Sequence, residues 1–305
     1  MNNYLNLTRQ GKTSWWRFVF AIILILFFWQ VLGAVPSVFI LFSGKGNENI
    51  RTGISSSGQI VGVDPIIGFT ATMLASVCFL VGIFLAIRLI HLRPFRTLIT
   101  PDVGIAWKRY FQGFMAWFIF SGLMSLLEGL LHPGRYEWTF NLRLFVPFAL
   151  VALVLIPIQT SAEELFFRAY FLQAAGLRIR NIWILSSLSG LLFMVPHLLN
   201  PEAKLNYLLM GFYYFFIGGV MAYITLRDGG LELALGLHAA NNLFSALIAN
   251  YTVTVLTTPS LFTVNLLDVK YSVAAAVLGL IGFVLIFVGL LKRYVRVSIP
   301  SEYNY

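Results

Sequence analysis

Long apolar runs, rather than alternating apolar and polar positions, organise this chain. Eight of them lie near residues 17–42, 66–91, 110–131, 142–176, 182–199, 206–226, 231–249 and 271–291. Each is near or above the roughly 17–25 residues that a helix needs to cross the hydrocarbon of a bilayer. A membrane β-barrel would instead show short segments of alternating hydrophobicity. The pattern therefore predicts an all-α, polytopic membrane helix bundle with about eight transmembrane helices. The first run is too long for a signal-peptide core and lacks a clear small-residue cleavage site, so it reads as a retained anchor. The loop 43–65, rich in Gly, Ser and Asn, reads as flexible. The chain divides into helices one to three with that loop (1–141), helices four to seven (142–250), and a last helix with a basic tail (251–305).

Composition agrees with the pattern. Hydrophobic residues make up 59% of the chain and charged residues 11%, and mean hydropathy is +0.83. An ordinary soluble domain carries about 25% charged residues, so this chain could not solvate its surface in water. The single cysteine, Cys78, excludes an internal disulfide and a thiolate metal cluster; it reads as a small apolar residue in a membrane helix. Trp15 and Trp16 read as part of an interfacial belt. Gly211, Gly218 and Gly219 read as close helix-packing positions.

The loop charges imply an orientation. Arg9, Lys12 and Arg17 precede the first run, and Arg88, Arg93, Arg96, Lys108 and Arg109 separate the second from the third. Arg178 and Arg180, Arg227, and then Lys292, Arg293 and Arg296 follow runs four, six and eight. The intervening loops are poorer in basic residues. This alternation predicts eight crossings with both termini cytoplasmic. It also accounts for the net charge of +9 without a nucleic-acid partner. The expected surroundings are a lipid bilayer, in a bacterial cell membrane.

Candidate chemistry lies where ionisable residues interrupt the apolar runs, because such groups are costly at membrane depth. With only 12 acidic residues in the chain, Glu163 and Glu164 stand side by side in run four; His197 ends run five, and His238 lies early in run seven. Runs four and five should form a hairpin turning around Gly176 to Asn181. Glu163 lies 13 residues before Gly176 and His197 lies 16 after Asn181, so each is roughly 20–24 Å from the turn. For His238 to join them, the hairpin must project into the cytoplasm, which sets the site in the cytoplasmic half of the membrane. Glu164 and Arg168 are four apart and can pair, while Glu163 is rotated by about 100° and points elsewhere. Phe193 with His197, and His238 with Asn242, show the same four-residue spacing. Pro157 and Pro196 could loosen backbone hydrogen bonding and admit water. His91 and His132 fall at run ends and read as interface residues without chemistry. Glu128, near the outer end of run three, reads as solvated or snorkelling.

Glu163-Glu164-x-x-x-Arg168, Phe193-x-x-x-His197 and His238-x-x-x-Asn242 together resemble the three ordered motifs of the CAAX-protease and bacteriocin-processing (CPBP, or Abi) family of intramembrane proteases. The resemblance covers roughly residues 145–250 and implies hydrolysis of a peptide bond within the membrane. It implies that Glu163 and His197 activate a water, that His238 and Asn242 stabilise the oxyanion, and that Glu164, Arg168 and Phe193 support them. The partner would be a membrane-associated protein or peptide. A zinc ion held by Glu163, His197 and His238 is the alternative, since two histidines and a carboxylate match a catalytic zinc set. The lack of a His-Glu-x-x-His pair, and the poor ligand Asn242, favour a mechanism without a cofactor. Two other classes stay open: an ion- or proton-coupled transporter, and a non-catalytic immunity or regulatory protein of the same fold.

Overall fold

The computed structural model describes residues 3–43, 52–55, 60–255 and 257–291. Most of the 43–65 loop and the basic residues Lys292, Arg293 and Arg296 lie outside the described residues. The fold is a helix bundle. Its main elements are α1 (Trp15–Ser43), α2 (Pro65–Ile90), α3 (Trp107–Leu131), α4 (Leu142–Ala175), α5 (Ile182–His197), α6 (Tyr207–Asp228), α7 (Glu232–Leu247) and α8 (Val269–Leu290). All except α5 and α7 are long and apolar enough to cross a membrane. Their outward faces are apolar and open, as at Phe42, Leu208 and Leu290, which suits contact with lipid tails. The protein is an integral, multi-pass membrane protein.

The helix starts follow local chemistry. Asp64, Asn141, Asn181, Asn206 and Asp268 each cap a helix, their side chains accepting from backbone N–H groups one turn on. Such caps satisfy donors that the first turn leaves without an intrahelical partner. Helix α6 ends at Gly229, whose φ of +74° lies in the left-handed region that favours glycine.

Helices α5 and α7 differ from the others. Each has 16 residues, about 24 Å of helix, less than the roughly 30 Å of a hydrocarbon core. Every residue of α7 from Glu232 to Ala240 is buried, so protein rather than lipid surrounds its first half. It packs against α3 and α4, while α5 packs along α6. The α5–α6 approach depends on small residues. A β-carbon at Gly190 would stand 2.5 Å from the Phe215 carbonyl oxygen, and one at Gly218 would stand 2.9 Å from Phe193 Cβ.

Four features were not expected. The loops after α3 and α7 are tied by a small sheet, in which Tyr136–Trp138 runs antiparallel to Phe262–Val264, and that strand runs parallel to Ala249–Tyr251. Beside it, Glu128 is neither solvated nor snorkelling. It is 1% exposed, with Arg135 Nη1 at 2.8 Å and the Tyr136 hydroxyl at 2.7 Å. The sheet turns Arg135 and Tyr136 back over the end of α3, so partners from the protein replace water. At the other end of α3, Arg109 is buried against Asp228 and the carbonyl oxygens of Phe287 and Leu291. This basic residue joins three helices rather than standing free in a loop. His91 is likewise buried, between the Lys12 carbonyl oxygen at 2.9 Å and the Tyr170 hydroxyl at 3.0 Å.

Candidate active site

Four helices bring the polar residues together. Helix α4 carries Gln159, Glu163, Glu164 and Arg168; α5 carries Phe193 and His197; α6 carries Tyr214 and Met221; α7 carries His238, Asn241 and Asn242. Directly after Glu164, α4 widens into a π-helical turn over Leu165–Tyr170. Such turns disturb the regular ladder and often occur at functional sites. The Ser189 hydroxyl of α5 donates to the carbonyl of Phe167 within that turn, at 3.1 Å.

Glu164 and Arg168 are both fully buried and pair at 3.2 Å. The Arg168 guanidinium also lies 3.9 Å from the centre of the Phe193 ring and donates to Met221 Sδ. A buried charge needs such company, since desolvating it alone costs several kcal/mol. The same Glu164 oxygen accepts from His238 Nδ1 at 2.7 Å. A carboxylate paired with arginine only accepts, so this contact puts a proton on Nδ1. His238 Nε2 then faces Glu163 Oε2 across 3.7 Å.

Glu163 is held differently. Its Oε1 accepts from the Gln159 amide, whereas its buried Oε2 has no hydrogen-bond partner among the described residues. His197 sits across the site, half-buried, with its ring 4.0 Å from that of Phe193 and 4.9 Å from that of Tyr214. His197 Nδ1 lies 2.7 Å from the Phe193 carbonyl oxygen, which can only accept, so Nδ1 again carries the proton and Nε2 is left as an acceptor. Behind it, the Tyr214 hydroxyl donates to Glu202 at 2.8 Å. Asn242 Nδ2 donates to Gln159 Oε1 at 3.0 Å.

The three sequence motifs thus converge on one polar interior. The described residues contain no group of three His, Cys, Asp or Glu side chains placed to hold a metal. Gln159, Asn241 and Tyr214 escaped the sequence reading. Gln159 could have been found, because it lies four residues before Glu163 and shares its face. Asn241 and Tyr214 carry no comparable signal.

A membrane helix bundle with six helices able to span, and with a glutamate pair, two histidines and an asparagine in its interior, defines a class, and comparison with known proteins agrees. Residues 142–244 match the type II CAAX prenyl endopeptidase Rce1-like family. The chain belongs to this family of CAAX-protease-type membrane proteins. The Bacillus subtilis (strain 168) protein YyaK, itself uncharacterized, is 37% identical over 268 residues, which are 87% of this chain and 88% of YyaK. No solved structure matches the chain.

Proposed function

We propose that the protein is an intramembrane endopeptidase that hydrolyses a peptide bond of a membrane-associated protein or peptide. The observation that carries this reading is the setting of Glu163: one carboxylate oxygen is held by Gln159, and the other, buried without a hydrogen-bond partner among the described residues, faces His238 Nε2 across 3.7 Å. Glu163 Oε2 takes a proton from a water whose oxygen attacks the scissile carbonyl carbon. His197, its Nδ1 fixed on the Phe193 carbonyl, turns Nε2 towards the same water as a second acceptor. The tetrahedral oxyanion is met by the Asn242 N–H that Gln159 does not use. It is also met by His238 Nε2–H when that ring is an imidazolium. Two carboxylates and the Arg168 guanidinium leave one negative charge, which such an imidazolium cancels. These donors gain strength in a site with little water. As the intermediate collapses, Glu163 passes its proton to the leaving amine and the C–N bond breaks.

The mechanism uses no metal. The family description names a prenyl endopeptidase, so a lipidated C-terminal peptide is the first substrate to try. The test is cleavage of a membrane-anchored peptide by purified protein in detergent, before and after dialysis against a strong chelator. We expect activity to survive the chelator and to vanish in Glu163→Gln. Loss on chelation with recovery on added zinc would overturn the metal-free step; a fully active Glu163→Gln would overturn the reading as a whole.

A further inference from the structure

A line of side-chain amides crosses the site from α3 to the carboxylate of Glu163. The Trp117 indole Nε1–H donates to Asn241 Oδ1 at 3.1 Å, Asn241 Nδ2 donates to Asn242 Oδ1 at 3.1 Å, and Asn242 Nδ2 donates to Gln159 Oε1 at 3.0 Å. The Gln159 amide then donates to Glu163 Oε1. The two ends fix the sense of the whole line. An indole N–H can only donate, and an ionised carboxylate can only accept. The three amides between them must therefore all point the same way, whichever end of each is read first.

We infer that Gln159 and Asn241 are positioning residues for the hydrolysis proposed above, and the inference rests on that reading. Gln159 holds one oxygen of Glu163, which aims the other at the water. It also accepts one of the two N–H groups of Asn242. Asn241 occupies the Asn242 carbonyl oxygen, so Asn242 cannot turn over and present that oxygen to a developing negative charge. A flipped Asn242 would repel the oxyanion instead of stabilising it. The line thus couples the base to the oxyanion donor through the two faces of one amide. It also ties both to Trp117, which is 5% exposed and packed among Met221, Leu237 and Phe283. Chains of hydrogen bonds aligned in one sense polarise one another, which strengthens the donor that Gln159 presents to Glu163.

The test measures kcat, KM and thermal stability on one membrane-anchored peptide for the wild type, Glu163→Gln, Gln159→Leu and Asn241→Leu. Both leucine variants should lower kcat by about tenfold to a hundredfold, the range expected when reacting groups lose their alignment. KM should stay within about twofold, because the groups lost act in the transition state rather than in binding. Asn241 acts only through Asn242, so Asn241→Leu should have no further effect on kcat in an Asn242→Ala background. An equal fall in kcat in that background overturns the role of Asn241. If both leucine variants keep kcat within about twofold of wild type while Glu163→Gln is inactive, positioning is wrong and the protease reading stands. If Glu163→Gln is active, both fall. A fall in kcat that only follows the folded fraction assigns these residues to packing and overturns the inference. Should Gln159→Leu fail to fold, the Asn241→Leu comparison decides by itself.

Discussion

Glu128 and Glu163 are both carboxylates within the bundle, and they are finished in opposite ways. Both oxygens of Glu128 are taken, one by Arg135 and one by the Tyr136 hydroxyl. Glu163 has one oxygen taken and the other without a hydrogen-bond partner among the described residues. Glu128 sits beside a sheet that closes the bundle end; Glu163 sits where three motifs meet. An unsatisfied buried acceptor is costly, and among the described residues Glu163 Oε2 shares that state with Glu164 Oε2 and Glu202 Oε2. What sets Glu163 Oε2 apart is that it faces the His238 ring, 3.7 Å away, in the site where the three motifs meet.

The largest expected effect is at Glu163. Glu163→Gln keeps the shape but cannot take up a proton, so hydrolysis should fall by about 10²–10⁴-fold or more, while thermal stability in detergent holds. Glu164→Ala or Arg168→Ala should come next, leaving a buried charge unpaired at a loss of roughly 3–5 kcal/mol, read as a lower unfolding midpoint. Glu164→Ala should also lower activity, because His238 loses the acceptor that orients it. Either variant with unchanged stability would break the contrast from the side of the catalytic region. Asn242→Ala should lower kcat by about 10²–10³-fold with KM little changed, as for loss of one oxyanion donor.

Smaller effects belong to the sheet end. Glu128→Gln should lower stability by about 1–3 kcal/mol through loss of its charged partner, yet leave kcat per folded molecule at the wild-type level. A drop in kcat there would show that the two regions are coupled. The smallest effect is at Asp268, which caps α8 through the Tyr271 N–H at 3.0 Å and lies 3.6 Å from Arg135. Those contacts, the backbone N–H first and Arg135 after it, hold its carboxyl below the usual carboxylate range. Its contribution is therefore present above about pH 4, the unfolded value, and is lost as pH falls through the lower folded value. Asp268→Ala should remove about 1 kcal/mol, as for an N-cap, and should flatten the acid side of a melting-temperature profile.

The apolar runs determined by themselves that this is a helical membrane protein, because the length and continuity of an apolar segment answer directly to the thickness of the hydrocarbon. The caps at Asn181 and Asn206 are contacts within one turn, a local signal that went unread in the sequence. Glu163, His197 and His238 were conspicuous because ionisable residues inside apolar runs stand out, and the resemblance to the family's motifs added Asn242. Only the tertiary structure decided how they are shared out. It set His238 between both glutamates, put Gln159 between Glu163 and Asn242, and enclosed the first half of α7 in protein. It also buried Glu128 and Arg109, which the sequence had left at the membrane edge. Each of these depends on residues far apart in the chain, such as Glu164 with His238 or Trp117 with Asn241. Helical periodicity fixes which face a side chain occupies, but what that face meets is set by the packing of helices against one another.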